Sequence, residues 1–323
     1  MMYQGVFRVL FISAIVLTIG CQRSNKENNN ISISQKNFLE QESAGQTIQR
    51  KKPLKSQIPH HFFQASDGVK IHYLAKGSKN NEVIILLHGS MAGAQLNWWD
   101  NGVISALSKN YRVLAMDLRG YGPVPNIKVD SYGDQVWKDV LELMDHESVD
   151  NAHFHGYSLG GEILQILIDH FVRRGSLEDK VLSLAFGGSG IEGHGIRYYL
   201  KTNRDKKPTA LVEAREEAAL GVLKQKGSGD LWDLLKMEVF NSYSTKALKR
   251  LDIEDINDAE IPVLAQVGEY DKPRRKLTRM REELHSSLYT EYVHKNQGHL
   301  SLITPNIWDK KYLKNYLRFL KNL

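Results

Sequence analysis

From Glu82 onward the chain alternates short, strand-like blocks with longer stretches whose apolar positions recur every three or four residues. Glu82-Val83-Ile84-Ile85-Leu86-Leu87 is the first block, and Arg112–Asp117, Asn151–His155, Lys180–Phe186, Ile261–Gly268 and Leu288–His294 are the later ones. A block such as Glu82–Leu87, apolar at nearly every position, predicts a strand buried on both faces of a sheet, and the others read as strands beside it. The stretches between them read as helices: Tyr132–His146 puts Val136, Val140, Leu141 and Met144 on one face, and Gly161–Val172 is a second strong helical pattern. Strand and helix in regular alternation predict an α/β domain with a parallel sheet covered by helices on both sides. No internal repeat is evident.

The alternation stops between Phe186 and Ile261. Roughly 70 residues intervene, and they read mainly as helix over Thr209–Gln225, Leu231–Phe240 and Lys246–Leu251, with Gly227-Ser228-Gly229 as a hinge or turn. From Gly190 to Ile256 there are 12 basic and 11 acidic residues, a near balance that does not favour a strongly charged substrate. Tyr198, Tyr199, Trp232, Phe240 and Tyr243 either pack inside this insert or line a pocket beneath it. Trp98 and Trp99 follow the first buried strand; one is expected against the sheet, and the other is open to a role at a substrate.

The first 58 residues have a different character. Residues 1–20 carry Arg8 as their one charged side chain and an apolar run, Val9–Ile19, of 11 residues. A membrane-spanning helix needs about 20; an export signal needs no more than this. The run ends at Gly20-Cys21, and Cys21 is the only cysteine in 323 residues, so an intrachain disulfide is excluded. Over residues 21–58, 16 positions are Asn, Gln or Ser, and seven Lys/Arg stand against three Glu. Such a segment buries too little apolar surface to fold alone and is expected to act as a flexible tether. The net charge of +6 therefore belongs mainly to the front of the chain, around Arg50-Lys51-Lys52 and Lys55. A basic stretch beside an anchor suits anionic lipid head groups, and a solvated linker accounts for it equally well. Nothing points to nucleic acid.

The chemistry-bearing motif is Gly156-Tyr157-Ser158-Leu159-Gly160, which follows one predicted strand and opens one predicted helix. Strand, sharp turn, helix is the setting that lifts a serine hydroxyl clear of a sheet and leaves a helix N-terminus beneath it. A serine needs a base, and the base needs an orienting acid. Downstream, the strand ending at Gly268 runs into Glu269-Tyr270-Asp271, and the strand ending at His294 is followed by Asn296-Gln297-Gly298-His299. Asp271 is the acid candidate with Glu269 as its alternative, and His299 is the base candidate. The remaining described alternatives among 12 histidines fit less well: His153 and His155 lie within the strand before Ser158, His60, His61 and His72 come too early, His285 reads as surface helix, and His294 as strand. His194, in a glycine-rich segment, is open to a place near the site. Two backbone N–H groups are also required for a developing oxyanion. Leu159 supplies one, and Ser90, in the loop His88-Gly89-Ser90 after the first buried strand, supplies the other. His88 is expected to brace that loop.

Taken together, Leu86-Leu87-His88-Gly89, Asp117-Leu118-Arg119-Gly120-Tyr121-Gly122, Gly156–Gly161, Val267–Asp271 and Gly298-His299 resemble the α/β-hydrolase superfamily over about Phe62 to Leu323. The resemblance implies a mostly parallel sheet flanked by helices, with a helical lid between strands six and seven. It implies Ser158 as nucleophile, His299 as base, Asp271 as acid, Ser90 and Leu159 as oxyanion donors, and a structural part for Asp117 and Arg119. Members with an aspartate nucleophile cleave epoxides or carbon–halogen bonds, and Ser158 argues against both. Gly20-Cys21 resembles the cleavage site of bacterial lipoproteins, with Thr18 standing where leucine is usual, and implies lipid on Cys21. The expectation is thus a signal peptide over 1–20, a tether over 21–58 and a hydrolase domain over 59–323, with its lid at about 190–256. It is held outside the cytoplasm on a bacterial membrane and hydrolyses a carboxylic ester through an acyl-enzyme. No cofactor or metal is called for. A lipase, a lactonase, a peptidase, a carbon–carbon bond hydrolase, or a binding protein without catalysis are the alternatives.

Overall fold

The computed structural model describes residues 58–123, 135–191, 206–226 and 251–323. Eight strands form one sheet in the order β1-β2-β4-β3-β5-β6-β7-β8. They are β1 (His60–Gln64), β2 (Lys70–Lys76), β3 (Val83–Leu87), β4 (Arg112–Met116), β5 (Ala152–Tyr157), β6 (Val181–Gly187), β7 (Val263–Gly268) and β8 (Tyr289–His294). The first two are antiparallel to each other, β2 is antiparallel to β4, and every later pairing is parallel. The strands run from one edge to the other with a single reversal of order between β3 and β4. Parallel neighbours are joined by crossovers through the helices α1 (Val103–Leu107), α2 (Gln135–Glu147), α3 (Leu159–Arg174) and α4 (Leu177–Lys180). Helices α5 (Ala210–Lys226) and α6 (Glu254–Asp258) lie between β6 and β7; α7 (Pro273–Glu283) precedes β8, and α8 (Lys311–Lys321) follows it.

Successive side chains of a strand point to opposite faces, so each buried strand feeds two cores. Ile85 and Leu87 of β3 join Phe154, Leu184, Ala265 and the inward residues of α2 and α3. Ile84 and Leu86 join Val113, Ala185, Leu264, α1 and α8 on the other face. Helix α8 meets that face with Tyr312, Tyr316, Phe319 and Leu320, spaced as one helical stripe. In α2 the buried set is Val136, Val140, Leu143 and Met144; Leu143 takes the place expected of Leu141, which is half-buried. Trp98 is fully buried in a π-helical turn, Gln95–Trp99, and packs on His155. Trp99 lies under the ammonium of Lys76, 5.1 Å from its ring centre. His285 sits just past the end of α7 rather than within it.

The helix expected over Thr209–Gln225 is α5. Gly227–Gly229, Leu231–Phe240, most of Lys246–Leu251, His194 and the aromatic residues of the insert lie outside the described residues, as do Cys21 and the tether up to residue 57. Among the described residues no helix is long and apolar enough to cross a membrane.

Candidate active site

Ser158 stands between β5 and α3 with φ 51° and ψ −114°, a left-handed conformation that an L-residue adopts only when its surroundings impose it. The surroundings are the flanking glycines. A Cβ on Gly156 would lie 2.4 Å from the carbonyl oxygen of Gly160, and one on Gly160 would lie 2.2 Å from that of Leu87. Only with hydrogen at both positions can the helix close so tightly on the sheet. The Ser158 N–H donates to Gly187 O at 2.8 Å, and the N–H groups of Gly161 and Glu162 donate to Ser158 O, which fixes the turn from both sides.

The structure brings the acid and base candidates to this serine from two adjacent strand ends. His299 Nε2 is 2.8 Å from Ser158 Oγ, and His299 Nδ1 is 2.8 Å from Asp271 Oδ2. The loops carrying them are laced together: Tyr270 N–H donates to Gln297 O, and Asp271 N–H donates to Gly268 O. Gly268 is required there, since a Cβ would meet the carbonyls of Gln297 and Gly298 at 2.4 Å. Asp271 is buried while the His299 ring is about one-third exposed, at 33%. Burial works to raise the Asp271 carboxyl, but the charges of His299 and Lys276 and their hydrogen bonds hold it below the ordinary carboxylate value. Glu269 faces elsewhere. It accepts from Lys206 Nζ at 2.6 Å and from Asn296 N–H at 3.2 Å.

The loop after β3 lies against the serine: a Cβ on Gly89 would sit 3.4 Å from Ser158 Cβ. Asn97, at the buried π-helical turn, accepts from Gly89 N–H at 2.8 Å. His88 donates from Nδ1 to Gly89 O at 2.8 Å and accepts at Nε2 from Leu118 N–H at 3.0 Å. Burial keeps its imidazole below the usual value, so it is a neutral brace. Asp117 accepts from Ala94 N–H at 2.6 Å and pairs with His72. Arg119 is fully buried between Asp139 and Asp67. Asn97, His88 and Asp117 thus brace the loop that carries Ser90, while Arg119 ties the segment after β4 to α2 and the β1–β2 turn. The strand histidines are packed: His153 meets Ser183 Oγ, His155 meets Tyr312 Oη, and His294 bridges Asp309 and Gln266. Among the described residues no cluster of three or more His, Cys, Asp or Glu is placed to hold a metal ion.

Three residues at the site escaped the sequence. Tyr157, the variable position of the serine motif, donates from Oη to His299 O at 2.5 Å; burial raises its hydroxyl pKa well above the usual value, so it stays a donor. Glu216 of α5 accepts from Leu300 N–H at 2.9 Å and Ser301 N–H at 2.8 Å, gripping the turn just past His299. Gly298 leaves it room, because a Cβ there would lie 2.4 Å from the Glu216 carboxyl carbon. Lys276 of α7, buried at 5% exposure, points its ammonium at Asp271. In sequence, Glu216 falls in Arg215-Glu216-Glu217 and Lys276 closes Lys272-Pro273-Arg274-Arg275-Lys276. Both runs read as solvated helix surface, and their partners are 84 and 5 residues away. The bond from Tyr157 spans 142 residues.

The sequence model of the alpha/beta hydrolase fold family matches residues 82–275. A putative carbamate hydrolase of Variovorax paradoxus is 29% identical over 109 residues, which cover 33% of this chain and 40% of that protein. A carboxylesterase of Bacillus subtilis is 31% identical over 104 residues, covering 31% and 33%. The chain spans between a quarter and two-fifths of the length of the first curated relatives it matches. Among solved structures, one from a study of carboxylesterases of Nitrososphaera gargenis superposes with a TM-score of 0.62 at 16% identity, over 81% of this chain and 98% of that one; the likeness is one of fold.

Proposed function

This chain belongs to the alpha/beta hydrolase fold family, and on that premise we propose that it is a serine hydrolase that cleaves a carboxylic ester through an acyl-enzyme. The observation that carries the reading is the continuous path from Ser158 Oγ through both ring nitrogens of His299 to Asp271, two hydrogen bonds of 2.8 Å each, built on a serine held at positive φ.

In the proposed reaction Ser158 Oγ attacks the carbonyl carbon as its proton passes to His299 Nε2. The carbonyl oxygen takes the negative charge and is met by the N–H groups of Leu159 and Ser90. The imidazolium, held by Asp271, gives its proton to the departing alkoxide, and the acyl group remains on Ser158. Water then repeats the sequence: His299 takes its proton, the hydroxide oxygen attacks the acyl carbon, and the acid leaves as the proton returns to Ser158. The near balance of charge across the insert is compatible with an uncharged acyl substrate. Lactones, amides and activated carbon–carbon bonds are open to the same triad, so the triad alone does not choose among them.

The front of the chain supports a second element of the proposal. An apolar run of 11 residues ending at Gly20-Cys21, followed by a polar tether, makes this an exported protein anchored to a bacterial membrane by lipid on Cys21.

A fluorophosphonate probe should label the wild-type protein at Ser158. Ser158→Ala should abolish labelling and lower turnover by roughly six orders of magnitude, with the melting temperature essentially unchanged. A variant retaining a tenth of wild-type activity removes Ser158 from the mechanism. Assay of the wild type on matched esters, lactones and amino-acid amides then ranks the bond types, and an ester is expected to lead.

A further inference from the structure

A buried lysine is a costly residue unless its charge is paired and its donors are satisfied, and Lys276 spends its ammonium entirely on the active site. Nζ is 2.5 Å from Asp271 Oδ1, 2.7 Å from Gly188 O and 3.3 Å from His299 Nδ1. His299 Nδ1 donates to the other carboxylate oxygen, Oδ2, so the approach of Nζ to the ring is a meeting of charges rather than a third hydrogen bond. Gly188 is the wall on which the imidazole rests: it has φ +54°, and a Cβ there would lie 3.2 Å from His299 Cε1. One atom therefore grips the acid and the wall that confines the base.

We infer that Lys276 is a positioning residue for the proposed hydrolysis, fixing Asp271 by the oxygen that faces away from His299 and so setting the line along which the carboxylate orients the imidazole. The inference rests on the serine-hydrolase reading and adds a fourth member to its relay. A carboxylate held at one oxygen only can pivot about that bond, and the imidazole would pivot with it; held at both, it is fixed. The ammonium has an electrostatic consequence as well. It offsets part of the Asp271 charge and, with His299, holds that carboxyl below its ordinary value. The other groups facing this cluster are Tyr157, whose Oη meets His299 O, and Glu216, whose carboxylate accepts from the backbone of residues 300 and 301. Neither touches the Asp271 carboxylate, so Lys276 alone among these groups balances its charge.

The test uses the full chain with kcat and KM on a common ester. Lys276→Met keeps the apolar stem and removes the charge. It should lower kcat 10- to 100-fold with KM little changed. Lys276→Gln keeps a donor without the charge; it should recover part of kcat. In the Asp271→Asn background, adding Lys276→Met should cost almost nothing further, because the lysine acts through the acid. That comparison also serves if Lys276→Met alone does not fold, since the double variant leaves no unpaired charge. Wild-type kcat in Lys276→Met, or losses that multiply in the double variant, would overturn the inference and leave Ser158 as nucleophile intact. Persisting activity in Ser158→Ala would instead remove the hydrolase reading itself.

Discussion

At the scale of single residues, the site separates two carboxylates that the sequence leaves side by side. Asp271 and Glu269 are two positions apart on the same strand-end loop, yet one turns inward to His299 at 2.8 Å and the other outward to Lys206. Alternation of side chains does not explain this, since residues two apart would share a face of a strand; the turn at Tyr270, tied to Gln297 O, redirects the chain between them. Asp271→Asn should therefore lower kcat by about four orders of magnitude, because the imidazole loses its charged, orienting partner, and should also lower the melting temperature, because Lys276 is left buried without its counter-charge. Glu269→Gln should change kcat by no more than a few-fold, as it breaks an exposed ion pair worth little in water. Steady-state kinetics with the two effects reversed would transfer the acid role to Glu269.

At the scale of elements, the helix α5 joins the insert to the loop that carries His299. Its Glu216 carboxylate accepts from two consecutive N–H groups immediately after His299, and its Arg215 donates to Asn296 O at 2.8 Å just before it. The loop that carries His299 is thus clasped at both ends by one turn of helix. Glu216→Ala leaves those N–H groups without their acceptor, and displacement of a reacting group by about 1 Å is enough to cost on the order of a hundredfold. The expected outcome is a fall in kcat of at least tenfold and a parallel slowing of fluorophosphonate labelling, with the sheet's exchange-protected amides unaltered. An unchanged labelling rate would mean that the loop holds its shape without α5.

At the scale of the whole molecule, burial lowers the pKa of four histidines on or beside the sheet. Burial pushes the imidazole of His155 down to about 3 and lowers those of His88, His153 and His294 as well. In the unfolded chain these groups titrate near 6.5. Below that pH the unfolded chain binds protons that the folded chain refuses, so stability is complete above about pH 6.5 and is lost progressively toward pH 3. His155 alone accounts for about 3 kcal/mol at pH 4. Urea midpoints should fall steadily between pH 7 and pH 4.5; a flat profile would show that these rings are not held neutral. Attachment is separable from catalysis, because every residue proposed for the chemistry lies at or after Ser90. A chain beginning at Ile58 should be soluble and fully active. Cys21→Ser in the full chain should block labelling by a palmitate analogue, and an unlabelled wild type cleaved at another bond would reduce the segment to a plain export signal.

What the sequence by itself determined follows from interactions that are short-range along the chain. Apolar blocks bounded by polar residues specify strands, helical spacing specifies α2, α3 and α5, and the glycines around Ser158 specify a turn that only small residues can make. Asp271 and His299 were legible because topology forces them to adjacent strand ends, β7 and β8. What the tertiary structure alone decided is which polar residues meet across distance. Lys276, Glu216 and Tyr157 look like surface or filler because a charge run or a motif's variable position carries no local mark of its partner. Their roles arise only when α7, α5 and β5 are packed around one loop, where burial makes every unpaired donor expensive and so selects the contacts that remain.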